Sequence, residues 1–301
     1  MKKILTGSRK SPLAIAQTRL IIQAIQEKFN NELEFEIVPI ETHGDKNFNS
    51  GINIKNTFTY EIEQALLNNK IDFAVHSLKD LSLNTNPELP IIAYYKREDP
   101  RDALILREDC NLNDEKIILG TSSLRRKMQL EKLYANAVIK PLRGNINTRL
   151  KKLYDTQNNY SGIILAMAGL KRLGLENHVN KIFSVDEIVP AAGQGILICQ
   201  GKAGRDYFYL DAINDNDTKF CALAERKFVS AFGTGCDIPA GANSVLIKNE
   251  NLNGQKNIFK LTGYYNGVKK ILSGEISGDL NFDEAIKNGE RLANLILNEC
   301  K

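Results

Sequence analysis

The stretch Ile117-Ile118-Leu119-Gly120-Thr121-Ser122-Ser123-Leu124-Arg125-Arg126 places a short apolar run directly before a polar loop and two arginines. The apolar run predicts a buried strand. The polar loop leads into a helix that is expected to begin near Leu124. Ser11-Pro12 is expected to open another helix, because Ser is a favourable N-cap and Pro suits the first helical position, and Arg143-Gly144-Asn145 a third. A strand that leads straight into a helix is the basic unit of an α/β fold. We therefore expect this unit to recur along the chain.

Similar units occur on both sides of this stretch. Further strand-like runs that end in a polar loop lie at residues 3–6, 72–75, 138–142 and 162–166. Strands that alternate with helices predict parallel sheets. From about Asn216 the pattern changes to a helix, a glycine-containing loop, short antiparallel-like strands and a last helix over 283–297. This part of the chain predicts a small α+β domain.

Two segments are typical of crossings between domains. The first is the charged run at 96–102, and the second is the proline- and glycine-containing run at 189–195. These two crossings, together with the change of pattern near Asn216, divide the chain into three predicted domains. The first α/β domain covers 1–96 and 191–215, the second α/β domain covers 97–190, and the α+β domain covers 216–301.

Composition excludes several classes of function. The net charge of the 301 residues is only +4, which argues against general nucleic-acid binding. The five cysteines form no CxxC pair and the three histidines lack metal-ligand spacing, so we expect no metal site. No secretory leader and no apolar run of membrane-spanning length is present, which favours a cytoplasmic protein that does not enter a membrane.

Cationic and hydroxyl side chains follow the predicted strands. In open α/β sheets ligands bind at the carboxyl ends of strands, and helix N-termini there favour anions. The residues in such positions are Arg9, Ser11, Lys79, Asp80, Thr121, Ser123, Arg125, Arg126, Arg143, Arg149 and Arg172. The cations and hydroxyls among these residues predict a polyanionic ligand, carrying carboxylates or phosphates, between the two α/β domains. The alternative is that each arginine is a solvated surface charge or part of a structural ion pair.

Asp80 and Cys236 are the candidate reactive residues. Asp80 follows a buried strand beside Lys79, where a carboxylate can share a proton or stabilise a developing cation. A turn or helix cap is the other role open to it. Cys236 lies in a loop with several glycines, which could hold its sulfur in a cleft. On spacing alone a small buried thiol in a plain turn is favoured, because no His/Asn partner motif lies nearby.

Taken in order, these motifs resemble those of the porphobilinogen deaminases, also called hydroxymethylbilane synthases. The resemblance runs from about residue 4 to residue 242, and the last sixty or so residues fit by pattern only. The matching motifs are Gly7-Ser8-Arg9-Lys10-Ser11-Pro12-Leu13-Ala14, Val75-His76-Ser77-Leu78-Lys79-Asp80, Lys96-Arg97-Glu98-Asp99-Pro100-Arg101-Asp102-Ala103, Gly120-Thr121-Ser122-Ser123-Leu124-Arg125-Arg126, Leu142-Arg143-Gly144-Asn145, Ala168-Gly169-Leu170-Lys171-Arg172-Leu173, Pro190-Ala191-Ala192-Gly193-Gln194-Gly195 and Gly235-Cys236.

The resemblance implies a transferase of heme biosynthesis. Such an enzyme joins four porphobilinogen molecules head to tail with loss of ammonia and then releases the linear tetrapyrrole 1-hydroxymethylbilane. The chain grows on a dipyrromethane cofactor held by a thioether to the loop cysteine, here Cys236. The implied fold has two α/β domains resembling type II periplasmic binding proteins and a small third domain. A monomer is also implied.

The resemblance assigns roles to individual residues. Asp80 would assist loss of ammonia and stabilise positive charge on the reacting nitrogens. Lys55 and Phe58 would belong to a lid, and Gln194 would line the cleft. The residues implied to bind the carboxylates of cofactor and growing chain are Arg9, Ser11, Lys79, Thr121, Ser123, Arg125, Arg126, Arg143, Arg149 and Arg172.

The lid departs from the family pattern. The family usually has lysine-glycine-leucine-phenylalanine there, whereas this chain has Lys55-Asn56-Thr57-Phe58. A lid with fewer glycines samples fewer backbone conformations, so any effect of this departure is expected on lid movement and rate, not on the class of reaction.

Two other functions are consistent with parts of the sequence. A carboxylate-binding module without catalysis would use the same cations but needs no cysteine on a glycine loop. RNA binding through Arg125-Arg126 and Arg143-Gly144-Asn145 would need more net charge and interleaved aromatic residues.

Overall fold

The computed structural model describes residues 3–43, 59–233, 239–247, 257–266, 271–278 and 281–299. The predicted lid residues Lys55 and Phe58 and the predicted cofactor residue Cys236 lie outside these ranges. The chain divides into a first unit, Met1–Glu98 with Ile196–Thr218, and a second unit, Asp99–Gly195 with Lys219–Lys301. The division into three domains stays a prediction. Across the described residues, no helix has the length and apolar character needed to span a membrane.

Strands and helices alternate through most of the described chain. The strands are β1 (Ile4–Arg9), β2 (Phe35–Ile40), β3 (Phe73–Ser77), β4 (Ile91–Tyr95), β5 (Asp102–Leu106), β6 (Ile117–Gly120), β7 (Ala137–Lys140), β8 (Gly162–Ala166), β9 (Lys181–Ile182), β10 (Leu197–Gly201), β11 (Ala240–Ile247), β12 (Asn257–Tyr265) and β13 (Leu272–Gly278). The helices are α1 (Pro12–Lys28), α2 (Tyr60–Leu67), α3 (Leu124–Leu133), α4 (Ile146–Tyr154), α5 (Met167–Lys171), α6 (Phe208–Asp211), α7 (Asn216–Ser230) and α8 (Phe282–Glu299).

Helix starts follow the capping signals of the sequence. Ser11 caps α1 by accepting a hydrogen bond from the Ala14 amide at 3.3 Å. Asn145 caps α4 in the same way, accepting from the Thr148 amide at 2.9 Å. Because each cap satisfies an amide that has no partner inside the helix, the residue after the cap is fixed as the first helical residue. The predicted starts of these helices are confirmed.

The two units contain five-stranded sheets of the same design. The first sheet has the order β2-β1-β3-β10-β4, and the second has the order β7-β6-β8-β5-β9. In each, three neighbouring strands are parallel and the fourth position holds an antiparallel strand, β10 or β5. The predicted α/β class is confirmed, with two such sheets and a smaller C-terminal sheet.

Neither sheet is parallel throughout, because β10 and β5 run antiparallel to their neighbours. β10 and β5 each follow a point where the chain passes from one unit to the other. They therefore enter their sheets without a crossover helix, which is the connection that makes successive strands parallel. β10 is also a strand that the sequence reasoning missed, although the apolar run Ile196–Cys199 was a signal for it.

The C-terminal residues form the antiparallel sheet β11-β12-β13, with α7 and α8 packed on it. Its core includes Phe228, Phe259 and Leu292. α7 and α8 pack closely because α8 carries a glycine at the contact. A Cβ atom on Gly289 would lie 2.3 Å from the Ala224 carbonyl oxygen, so no larger residue fits without a shift of backbone. This part of the chain is α+β, as predicted.

Candidate active site

In the first unit, the predicted site residues lie at one edge of the sheet. β1 ends at Arg9 and β3 ends at Ser77, and the two strands are parallel, so their carboxyl ends share that edge. A single turn of 3-10 helix after β3 contains Lys79 and Asp80. Lys79 is partly buried, whereas Asp80 is exposed. An exposed carboxylate at a strand end is available to a ligand.

Gln17 supports this edge and was missed by the sequence reasoning. It is 5% exposed on α1, and its Nε2 atom donates to Ser77 Oγ at 3.0 Å. The bond joins the first helix to the last residue of β3, just before Lys79 and Asp80. Gln17 could have been found from the sequence. It lies four residues from both Leu13 and Ile21, which places it on the face of the helix that packs on the sheet.

His76 lies beneath the same edge. It is 6% exposed, and burial together with the positive charge of Arg9 lowers its pKa to about 4. The imidazole is therefore neutral at neutral pH. Because the imidazole is neutral, the positive charge at this place comes from Arg9 and not from His76.

In the second unit, the predicted cationic residues also gather at the carboxyl edge of the sheet. β7 and β8 both pair with β6 in the parallel direction, so the three strands end at the same edge. The predicted residues that follow these strands are Thr121, Ser123, Arg125, Arg126, Arg143, Arg149 and Arg172. They lie in the loops and helices that follow β6, β7 and β8 in the chain, and their role in binding stays a prediction.

Arg125 and Arg126 are buried and form ion pairs with Asp102. The two arginines are 4% and 6% exposed, and Asp102 is fully buried at the start of β5. Arg125 Nη1 lies 2.7 Å from Asp102 Oδ2, and Arg126 Nη2 lies 2.7 Å from Asp102 Oδ1. Arg126 Nη1 also donates to the Ile164 carbonyl at 3.0 Å. We call these three side chains the Asp102 cluster.

The Asp102 cluster holds two positive charges and one negative charge. Burial by itself would raise the pKa of Asp102, but the charges and hydrogen bonds of Arg125 and Arg126 hold it well below its ordinary value. Burial lowers the pKa of Arg125, and Asp102 opposes that shift. Asp102 is thus an anion at neutral pH, and it balances one of the two cations. The remaining positive charge favours an anionic ligand.

Gln194 belongs to the same network. Its Nε2 atom donates to Asp102 Oδ1 at 2.9 Å and to the Pro100 carbonyl at 2.6 Å. Arg125 Nη1 donates in turn to the Val189 carbonyl at 2.7 Å. The segment around Val189 and Gln194 is therefore tied to α3 and β5 by side-chain hydrogen bonds.

The other cations differ in exposure. Arg143 is exposed, whereas Arg149 and Arg172 are partly buried. Arg149 Nε donates to the Gly144 carbonyl at 2.7 Å, and Arg172 Nη2 donates to the Gly195 carbonyl at 2.6 Å. These bonds direct the two guanidiniums.

The hydroxyls of Thr121 and Ser123 act locally as acceptors. The Ser123 amide donates to Thr121 Oγ1 at 3.2 Å, and the Arg126 amide donates to Ser123 Oγ at 3.4 Å. A hydroxyl that accepts still has its own proton to donate, so a carboxylate can be bound at the same place. In the described part of the chain, no group of three or more histidine, cysteine, aspartate or glutamate residues is placed to hold a metal ion.

Asp102 was not among the predicted site residues. The sequence analysis placed it at the end of the charged run 96–102, as part of a crossing between domains. A signal was available, because an acidic residue directly before the apolar run Ala103–Leu106 predicts a charge inside a sheet. Its partners could not be identified, since Arg125 and Arg126 lie more than twenty residues away.

Comparison with known proteins identifies two matching family models. Residues 4–208 match the porphobilinogen deaminase dipyromethane cofactor binding domain, and residues 219–298 match the porphobilinogen deaminase C-terminal domain. The porphobilinogen deaminase of Ruminiclostridium josui is 45% identical over 82% of this chain and 84% of its own length. That of Acetivibrio thermocellus is 43% identical over 94% of this chain and 95% of its own length. Among solved structures, YhfZ from Shigella flexneri aligns with a TM-score of 0.38 and 13% identity, covering 75% of this chain and 89% of its own.

Proposed function

The chain belongs to the porphobilinogen deaminase family, and we propose that it is a hydroxymethylbilane synthase. The reaction joins four porphobilinogen molecules head to tail with release of ammonia and then hydrolyses the product free as 1-hydroxymethylbilane. The chain is accordingly a transferase of porphyrin and heme biosynthesis. The observation that carries the proposal is the match to both family domains over nearly the whole chain.

The residues present fit the dipyrromethane cofactor. The group carries acetate and propionate carboxylates, and the carboxyl edge of the second sheet holds several arginines. The Asp102 cluster adds a surplus of positive charge where water is largely excluded. When bound through Cys236, the cofactor would supply the free pyrrole position to which the first porphobilinogen unit is added, and each later unit would join the end of the growing chain.

Asp80 is the residue proposed to carry the chemistry. It is exposed at the carboxyl edge of the first sheet, directly after Lys79. There its carboxylate can accept a hydrogen bond from a pyrrole N–H and stabilise the positive charge that develops on nitrogen as ammonia leaves. Lys79 and Arg9 at the same edge can hold carboxylates of the substrate in place while this happens.

The second unit is proposed to bind the carboxylates of the cofactor and growing chain. Arg143 is exposed enough to meet a ligand directly. Arg149 and Arg172 are oriented by their bonds to backbone carbonyls. Thr121 and Ser123 add hydroxyl donors at the start of α3. Charge-assisted hydrogen bonds of this kind are stronger than neutral ones, and several together hold a polyanion against diffusion.

Four further parts of the proposal stay predictions. They are the attachment of the cofactor at Cys236, the lid role of Lys55 and Phe58, a monomeric state without nucleic-acid or membrane partners, and a cytoplasmic location. The lid and the cysteine lie outside the described residues, so their support is the match of motifs alone.

The decisive experiment is the intact mass of the purified full chain beside a Cys236→Ser variant. We expect the wild type to be heavier by one two-pyrrole unit and to react with Ehrlich's aldehyde. The variant should have its bare mass, give no colour and consume no porphobilinogen.

A wild-type chain at its bare mass would first be incubated with porphobilinogen. If its mass still did not change and no porphobilinogen were consumed, the enzyme proposal would be wrong, and a carboxylate-binding module would take its place. Binding of porphobilinogen without turnover, measured by calorimetry, would support that module.

A further inference from the structure

The start of β11 lies against the Asp102 cluster. This strand begins at Ala240, which follows Cys236 closely in the sequence. A Cβ atom on Gly241 would lie 2.7 Å from the Val189 carbonyl oxygen and 3.2 Å from Arg125 Cδ. The Ala242 amide donates to the Pro190 carbonyl at 2.9 Å. The start of β11, a few residues after Cys236 in the sequence, is thus in close contact with the backbone that Arg125 holds.

Hydrogen bonds connect that backbone to Asp102. Arg125 Nη1 donates both to Asp102 and to the Val189 carbonyl, each at 2.7 Å. Gln129, one turn further along α3, donates to the Val189 carbonyl at 3.2 Å and accepts from the Val189 amide at 2.8 Å. A continuous path of short contacts therefore runs from Asp102 through Arg125 and Val189 to Gly241.

The path depends on the charge of Asp102. Arg125 and Arg126 both carry positive charge in a buried place, and Asp102 lies between them. Without the carboxylate, the two guanidiniums would repel each other, and each would lose a charge-assisted hydrogen bond. Arg125 could then leave its position against Val189, and the contact with Gly241 would loosen.

We propose that Asp102 is a positioning residue, which holds Arg125 and Arg126 for the carboxylates of the bound pyrrole chain and also fixes the start of β11, which follows Cys236 in the sequence. The inference rests on the proposed function. Asp102 is fully buried and so acts through the two arginines, not by touching the substrate. Loss of Asp102 should weaken both the loading of the cofactor and the affinity for porphobilinogen.

The test uses the full chain with Asp102→Asn, which keeps the shape and removes the charge. Asp102→Glu keeps the charge and displaces it by one methylene. Asp109→Asn is the control, because Asp109 is a largely exposed partner of Arg107 in the same unit. The folded fraction of each protein is isolated by size exclusion, and its intact mass, KM for porphobilinogen and kcat are measured.

We expect a smaller share of cofactor-bearing chains in Asp102→Asn. In the chains that do carry cofactor, KM should rise about tenfold, while kcat changes less than about threefold. Asp102→Glu should fall between that variant and the wild type. The control should match the wild type in all measurements. A purely structural residue would reduce the yield of folded protein without changing KM in the part that folds.

Wild-type loading and KM in folded Asp102→Asn would overturn the inference. If Asp102→Asn does not fold, Asp102→Glu decides, and an unchanged KM there overturns it as well. Failure of both variants to fold would make Asp102 a structural residue only. Failure of the proposed function would be distinguishable, because the wild type itself would then carry no two-pyrrole mass.

Discussion

The carboxyl edges of the two five-stranded sheets have the same topology but different placement of charge. In the first unit, the carboxylate of Asp80 is exposed and the imidazole of His76 beneath the edge is buried and neutral. In the second unit, the carboxylate of Asp102 is buried and is an anion between two buried arginines. An exposed carboxylate is accessible to a ligand, whereas both oxygens of the buried Asp102 carboxylate are already bonded to Arg125 and Arg126. The same residue type at equivalent edges therefore has different surroundings, and these support the different roles proposed for Asp80 and Asp102.

The largest expected effect tests the buried acid. Asp102→Asn should lower the free energy of unfolding by about 4 kcal/mol, because it leaves two buried cations without their counterion. The pKa of Asp102 is lower in the folded protein than in the unfolded chain. The stability that Asp102 contributes is therefore fully present above the ordinary carboxyl pKa, and it is lost as the pH falls from there towards the folded-state pKa. Urea unfolding at neutral pH measures the loss, and the control Asp109→Asn should change it by less than about 1 kcal/mol. If Asp102→Asn and Asp109→Asn had equal free energies of unfolding, the buried carboxylate would contribute no more to stability than an exposed one.

The exposed acid should show the opposite behaviour. Asp80→Asn should reduce kcat by about 100-fold or more, equal to about 3 kcal/mol of transition-state stabilisation. The free energy of unfolding should change little, since the side chain is exposed. Rates of porphobilinogen consumption and a urea titration separate the two effects. Glu88→Gln, another exposed acid of the first unit, should leave the rate unchanged.

The buried imidazole predicts a pH dependence of stability. His76 has a native pKa of about 4, against about 6.5 in the unfolded chain. The unfolded chain thus binds the proton first, so stability falls as the pH drops from about 6.5 towards 4. Between pH 7 and pH 5 the loss from this residue should be about 2 kcal/mol.

Chemical unfolding of the wild type and His76→Gln at both pH values measures this contribution. The variant should lose correspondingly less stability between pH 7 and pH 5, and His178→Gln, a partly exposed histidine of the second unit, should behave as the wild type. An identical loss in His76→Gln and the wild type would show that His76 is not the buried neutral group described above.

The smallest effect concerns an exposed cation of the second edge. Arg143→Ala should raise KM for porphobilinogen about tenfold, since one charge-assisted contact with a carboxylate is lost. Stability should stay within about 0.5 kcal/mol of the wild type. Lys151→Ala removes another exposed cation of the same unit and should leave KM unchanged. If both substitutions raised KM equally, general attraction by net charge would explain the effect better than a specific contact.

Much of the fold followed from local patterns. Ser11 predicted where α1 begins, because a cap acts within a few residues of itself, and the polar segments before Leu124 and Ile146 predicted two further helix starts. The apolar runs predicted strands in both sheets. β10 was missed, and so was the antiparallel direction of β5 and β10. These depend on how the chain passes between units, and no local pattern encodes that path.

For the candidate site, the sequence by itself determined which residues stand at the strand ends, and the ordered motifs determined the family. Only the tertiary structure decided which of those residues are exposed and which are buried. It paired Arg125 and Arg126 with Asp102, and it joined Gln17 to Ser77. These contacts link residues distant in sequence, and a charge becomes structural or available according to the burial and partners that such contacts create.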